Sequence, residues 1–147
     1  MIWIAGVIVL LGLLLAVQPA GAQSLGGFVS GLVGKLGASD IAVYAQNAGF
    51  SGDDLTTAVA IALAESGGNP SAVGDLAIVK PNGSIGLWQI NTNAHPEYDP
   101  AQLTDPQYNA NAAYAIYQRA GGFRPWSTFT SGNYMAYLAD ASNVVNA

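Results

Sequence analysis

Glu65 closes an apolar run, Ala58-Val59-Ala60-Ile61-Ala62-Leu63-Ala64, and Ser66-Gly67-Gly68-Asn69-Pro70 follows at once. Read as a helix, the segment starts with Ser51 as N-cap and Asp54 three residues on, a capping-box pattern. Gly67 suits the left-handed position that ends a helix. Glu65 then lies in the last turn, where burial and the negative end of the helix dipole both disfavour its charged form. A carboxyl group that keeps its proton near neutral pH can act as a general acid. The competing reading of the same position is a solvated glutamate at a helix end. Few other groups offer chemistry. The chain has no cysteine, which excludes thiol catalysis, disulfides and cysteine metal sites. Its one histidine, His95, stands beside Pro96 in a surface loop and cannot make a multi-histidine site alone. No cofactor or metal is expected.

Three pieces follow one another: Ala64-Glu65-Ser66-Gly67-Gly68-Asn69-Pro70, Ser84-Ile85-Gly86-Leu87-Trp88-Gln89-Ile90-Asn91 and Asn109-Ala110-Asn111-Ala112-Ala113. Together they resemble the lytic transglycosylase and goose-type lysozyme superfamily, over roughly residues 41–138. The Glu-Ser pair alone is a weak signal. Joined to Gly86-Leu87-Trp88-Gln89-Ile90 about twenty residues later, it becomes a strong one. The resemblance implies cleavage of the β-1,4 bond between N-acetylmuramic acid and N-acetylglucosamine in peptidoglycan, with Glu65 as acid and then base. In the transglycosylase branch the muramic acid C6 hydroxyl attacks and leaves a 1,6-anhydro end. In the lysozyme branch water attacks, usually with a second carboxylate. Here Asp75 is the candidate for that role, while Glu97, Asp99 and Asp105 read as turn or cap residues. The shortage of partners favours the one-carboxylate route.

The resemblance also suggests substrate contacts. Gln89 is expected to project from the cleft segment towards an acetamido or hydroxyl group, or else to stabilise its own loop. Trp88 stacks on a sugar face or fills the core. Ser84 and Asn91 contact substrate or hold turns. Many members carry an Ala-Tyr-Asn-Ala-Gly pattern whose tyrosine orients the glutamate. This chain lacks it, which leaves Tyr134 as the candidate and Tyr108 behind it. Some members place a serine nine residues after the glutamate, where this chain has Gly74.

The elements that position these residues make a mainly α, small lysozyme-like domain over residues 39–147. Ser39 caps a first helix bearing Ile41, Tyr44, Ala45 and Ala48 on one face, with Gly49 ending it. The Glu65 helix comes next. Residues 70–99 read as loop, with a short hairpin near Leu76 to Val79 and Pro81-Asn82-Gly83 as its turn. Asp105-Pro106 opens another helix that ends at Gly121-Gly122. A last helix runs from about Ser131 through Tyr134 and Leu138 towards Ser142.

The amino-terminal fifth differs. Residues 1–17 carry no charge and would extend roughly 25 Å as a helix, the short end of a membrane span. Residues 1–22 therefore read as a transmembrane anchor, or as a signal peptide cut after Ala20-Gly21-Ala22, although the basic start of a signal is missing. Residues 23–38 form a Gly-rich spacer or an amphipathic segment. Either reading of the start sends the domain out of the cytoplasm, as a single-pass membrane protein facing the cell wall or as a secreted one. With four basic and nine acidic residues, the chain has no basic run for nucleic acid. The expected partners are peptidoglycan glycan strands, a bilayer through residues 1–17, and proteins of a phage or secretion assembly. A non-catalytic glycan-binding or structural component of a virion or secretion assembly is the reading from another class.

Overall fold

The computed structural model describes residues 34–147. The expected anchor or signal, and most of the spacer, lie outside the described residues. Among the described residues no helix is long and apolar enough to cross a membrane. The fold is mainly helical. Helix α1 spans Ala38–Ala48, α2 Gly52–Ser66 and α3 Pro106–Ala120. A short α4, Ser127–Thr130, is followed by a 3-10 helix, Asn133–Tyr137, and by α5, Leu138–Val145.

Helix α2 is the centre of the domain. Ala58, Val59, Ala60, Ile61 and Ala62 are all fully buried, so the helix is covered on every side rather than along one stripe. The 3-10 helix, α1, α5 and α4 all pack against it. Three alanines in this stretch let those neighbours approach closely. Helix α3 is amphipathic instead and buries Asn109, Ala110, Ala112, Ala113 and Ile116. Phe50, between α1 and α2, packs edge-on to Tyr114 at 4.9 Å and lies 5.8 Å from Phe123, which ties α3 and the segment after it to the core.

Between α2 and α3 the chain makes a three-stranded antiparallel sheet of two-residue strands, in the order β1 (Val73–Gly74), β2 (Ser84–Ile85), β3 (Ile90–Asn91). Val73 pairs with Ile85, and Ile85 with Ile90. So small a sheet cannot hold itself. Its anchor is Asn109 on α3, whose fully buried carboxamide makes three bonds. Its oxygen accepts the Trp88 amide at 2.9 Å, and its nitrogen donates to the carbonyls of Ile85 and Leu103, each at 2.9 Å. Gly86, at φ 83°, completes the arrangement: a Cβ there would collide with the Asn109 amide and the Leu103 carbonyl.

Several element ends differ from the sequence reading, each for a local reason. Helix α1 starts at Ala38 with Gly37 in the capping position, and Asp40, not Ser39, accepts the Gly37 N–H at 3.2 Å. Ser51 does precede α2, and Gly67 ends it in the left-handed region, but the Ser51 hydroxyl makes no capping bond. Asp54 instead accepts the Tyr117 hydroxyl. The hairpin exists, yet Leu76 to Val79 belong to its loop, because the register pairs Gly74 with Ser84. Asp105 caps α3 as expected, accepting the Tyr108 amide at 2.7 Å. The expected last helix is broken into the 3-10 turn and α5. Leu36, which the sequence places in the spacer, is core: it is 3% exposed, and its amide donates to the Gly68 carbonyl at 2.7 Å.

Replacing Asn109 by Ala strands one buried donor and two buried acceptors at once. The expected loss is about 2 to 5 kcal/mol in a denaturant titration, since each unsatisfied group costs on the order of 1–3 kcal/mol. A change under about 0.5 kcal/mol would show that the carboxamide is not the anchor of the sheet.

Candidate active site

The end of α2 places Glu65 because the helix cannot continue. Gly67 turns left-handed, and Ser66 folds its hydroxyl back onto the Ala62 carbonyl at 2.9 Å while accepting the Gly68 amide at 3.2 Å. The serine of the Glu-Ser pair therefore finishes the helix. Glu65 is left half-buried at the wall of an open cleft of about 430 Å³.

The opposite wall comes from the sheet and the segment after it. Asp75, Ser84, Gln89, Asn91 and His95 all line the same cleft as Glu65. Asp75 and Gln89 are the two non-glycine residues with positive φ among those described, at 58° and 46°. Such conformations persist where surrounding bonds hold them. Ser84 donates to Asp75 Oδ2 at 2.8 Å, and the Gln89 amide nitrogen donates to the carbonyls of Ala72 at 3.1 Å and Gly86 at 2.9 Å. Asn91 Oδ1 accepts the amides of Asn93 and Ala94, each at 3.0 Å. Gln89 and Asn91 thus spend their amide nitrogen and carbonyl oxygen, respectively, on their own loops, while each still faces the cleft.

Burial is the chief influence on Glu65 and pushes its pKa above the usual carboxylate range. Hydrogen bonding from Thr128 opposes that shift, and the negative charge of Asp75 adds to it. The Thr128 hydroxyl donates to Glu65 Oε1 at 2.7 Å. Thr128 is held there by two indoles in series. Trp88 donates from Nε1 to the Ala58 carbonyl on α2 at 3.0 Å, and Trp126 donates from Nε1 to the Trp88 carbonyl at 2.9 Å.

This geometry decides between the two readings of Trp88 and corrects three other expectations. Trp88 is fully buried, so its indole fills the core and offers no face to a sugar. Tyr134 packs on Phe129 at 5.0 Å and is not in the cleft wall; Thr128 makes the contact to Glu65 instead. Tyr108 accepts the Asp99 amide at 3.3 Å and stands edge-on to Tyr98, also away from the cleft wall. His95, read from sequence as a surface-loop residue, lines the cleft with Nδ1 3.6 Å from Glu97, which in turn accepts from Arg119 at 2.7 Å. No local pattern in the sequence points to Thr128, because its role depends on the turn at Arg124 and Pro125 that no periodicity announces. Trp126 does stand out in the residues, between Phe123 and Phe129.

The site can deliver a proton to a substrate oxygen from Glu65 beside a second carboxylate, in an open cleft of mixed polar and apolar lining. Residues 42–128 match a family model described as a lysozyme like domain. No curated protein and no solved structure matches the chain.

A raised folded-state pKa has a sign. The folded chain binds the Glu65 proton more tightly than the unfolded chain, so wild-type stability falls as pH climbs from the ordinary glutamate value through the raised one. Glu65→Gln escapes that loss. The variant is expected to melt higher than wild type at pH 7, with the difference vanishing as pH is lowered below about 4. Thermal melts across that range test it, and a lower melting temperature at pH 7 would contradict the burial argument.

Proposed function

The chain belongs to the lysozyme-like domain family, whose model spans more than half of it, and from that premise we propose that it cleaves the glycan strands of peptidoglycan. The observation that carries this reading is Glu65: a half-buried carboxyl, its pKa raised by burial, in the wall of an open cleft. The bond cut is the β-1,4 link between N-acetylmuramic acid and N-acetylglucosamine. Glu65 gives its proton to the glycosidic oxygen as the C1–O bond breaks and positive charge develops at C1. The resulting carboxylate then takes a proton from the attacking oxygen, which restores the acid.

In the leading reading the attacker is the C6 hydroxyl of the same muramic acid, so the chain is a lytic transglycosylase. Asp75 is solvent-exposed with one oxygen bonded to Ser84, and the acid and base steps need only Glu65. Because Asp75 lies in the same cleft, it supports a second reading, a muramidase in which water attacks. A purely glycan-binding component would have no use for a proton donor held half-buried against its own preference.

Glu65→Gln keeps the shape but carries no transferable proton, and the expected loss of sacculus cleavage is about 10² to 10⁴-fold. Mass spectrometry of wild-type products decides the route. Anhydro ends with substantial activity in Asp75→Asn support the transglycosylase, while reducing ends with an inactive Asp75→Asn place the chain with the muramidases. Near wild-type cleavage by Glu65→Gln removes both.

Residues 1–22 complete the proposal as a membrane anchor with the catalytic domain facing the wall, since the substrate lies outside the cytoplasmic membrane. Local wall opening in a phage or secretion assembly is the role proposed for this cutting domain. Amino-terminal sequencing of the natural product is expected to find residues 1–22 retained in a membrane fraction. A mature chain starting at Gln23 would replace the anchor with a processed signal.

A further inference from the structure

We propose that Thr128 is the positioning residue that orients Glu65 and tunes its affinity for the proton, taking the place of the orienting tyrosine that the sequence does not supply. The inference deepens the functional reading above and rests on it for its kinetic consequence alone. Its geometry is local. The Thr128 hydroxyl is 2.7 Å from Glu65 Oε1, the one side-chain hydrogen bond that Glu65 makes among the described residues. A carboxyl group on a long side chain in an open cleft samples many rotamers, and a single strong donor selects among them.

Thr128 can do this because it is not free to move. It sits on α4, whose first turn is pinned by the Trp126 indole to the Trp88 carbonyl, and Trp88 is pinned by its own indole to α2. The catalytic helix thus holds, through two buried tryptophans, the hydroxyl that holds its terminal carboxyl. Here lies the physical reason for a tryptophan at position 88: its indole ties to α2 the backbone carbonyl on which the Trp126 indole hangs.

The chemistry follows from the donor. A hydroxyl hydrogen bond to a carboxylate favours the charged form, so it counteracts burial and keeps the proton transferable. The charged or titratable groups around Glu65 are Asp75 and His95 in the cleft wall and Lys35 near Gly67. Tyr134, Tyr137 and Asp140 belong to the elements packed on α2. Among these, Asp75 acts on Glu65 and does so in the opposite direction to Thr128.

The test exploits the composition, because Glu65 and Glu97 are the only two glutamates in the chain. Full-length protein labelled with ¹³C-glutamate gives two carboxyl titrations, and Glu97→Gln assigns them. In Thr128→Val and Thr128→Ala the Glu65 midpoint is expected to move up, with Thr128→Ser restoring it. In parallel, the alkaline limb of kcat/KM on peptidoglycan should move up, the plateau should fall roughly ten- to a hundredfold, and KM should hold. An unmoved midpoint in both folded variants, or a Ser variant that behaves like Val, overturns the assignment. If wild type titrates as described but cuts no peptidoglycan, the functional reading fails while the titrations still decide the role of Thr128.

Discussion

The carboxamide of Asn109 is the interaction on which the rest of the structure depends. It is fully buried on α3, and two of its three bonds, to the Trp88 amide and the Ile85 carbonyl, go to the segment that forms the far wall of the cleft, while the third goes to the Leu103 carbonyl. That wall is a sheet of two-residue strands with almost no ladder of its own, so its position is borrowed from the helix. Gly86 fits because nothing larger could pass the amide, and the turn that follows can then send Trp88 inwards and Gln89 towards the cleft. One side chain therefore fixes the separation between the α2 end of the site and the loop end.

A second dependency runs through the tryptophans. Trp88 and Trp126 each donate an indole N–H to a backbone carbonyl, and together they join α2, the cleft turn and α4 into one rigid unit. The unit sets two opposing influences on Glu65. Burial at the end of a helix enclosed on all sides raises its pKa, and the Thr128 hydroxyl restrains that rise. In the proposed role of Glu65 the balance is between a proton held too loosely to be present and one held too tightly to be given away.

Much of this was legible in the residues. The apolar run ending in Glu65-Ser66-Gly67 gave the central helix, and Asp105-Pro106 with Gly121 gave α3, because caps and breakers act over a few residues. Five of the residues named as candidates, Glu65, Asp75, Ser84, Gln89 and Asn91, do meet in one cleft. What the sequence could not show was direction. Trp88 and Tyr134 have aromatic faces suited to sugars, but whether such a face points outwards depends on neighbours far along the chain. Thr128 is a small residue 63 positions from the carboxyl it binds, and no local pattern links them. His95 looked like loop surface because nothing local to Pro96 shows that its loop lines the cleft.

The strap formed by Leu36 has a mechanical consequence. Its amide bonds to the Gly68 carbonyl, so the chain enters the domain against the end of α2, three residues beyond Glu65. Were residues 1–17 an anchor as proposed, the seventeen residues from there to Gly34 could span at most roughly 55–60 Å. Tension applied to the chain ahead of Leu36 would be delivered first to the end of α2. The point where the chain enters the domain and the end of α2 that carries Glu65 are thus joined by one backbone hydrogen bond.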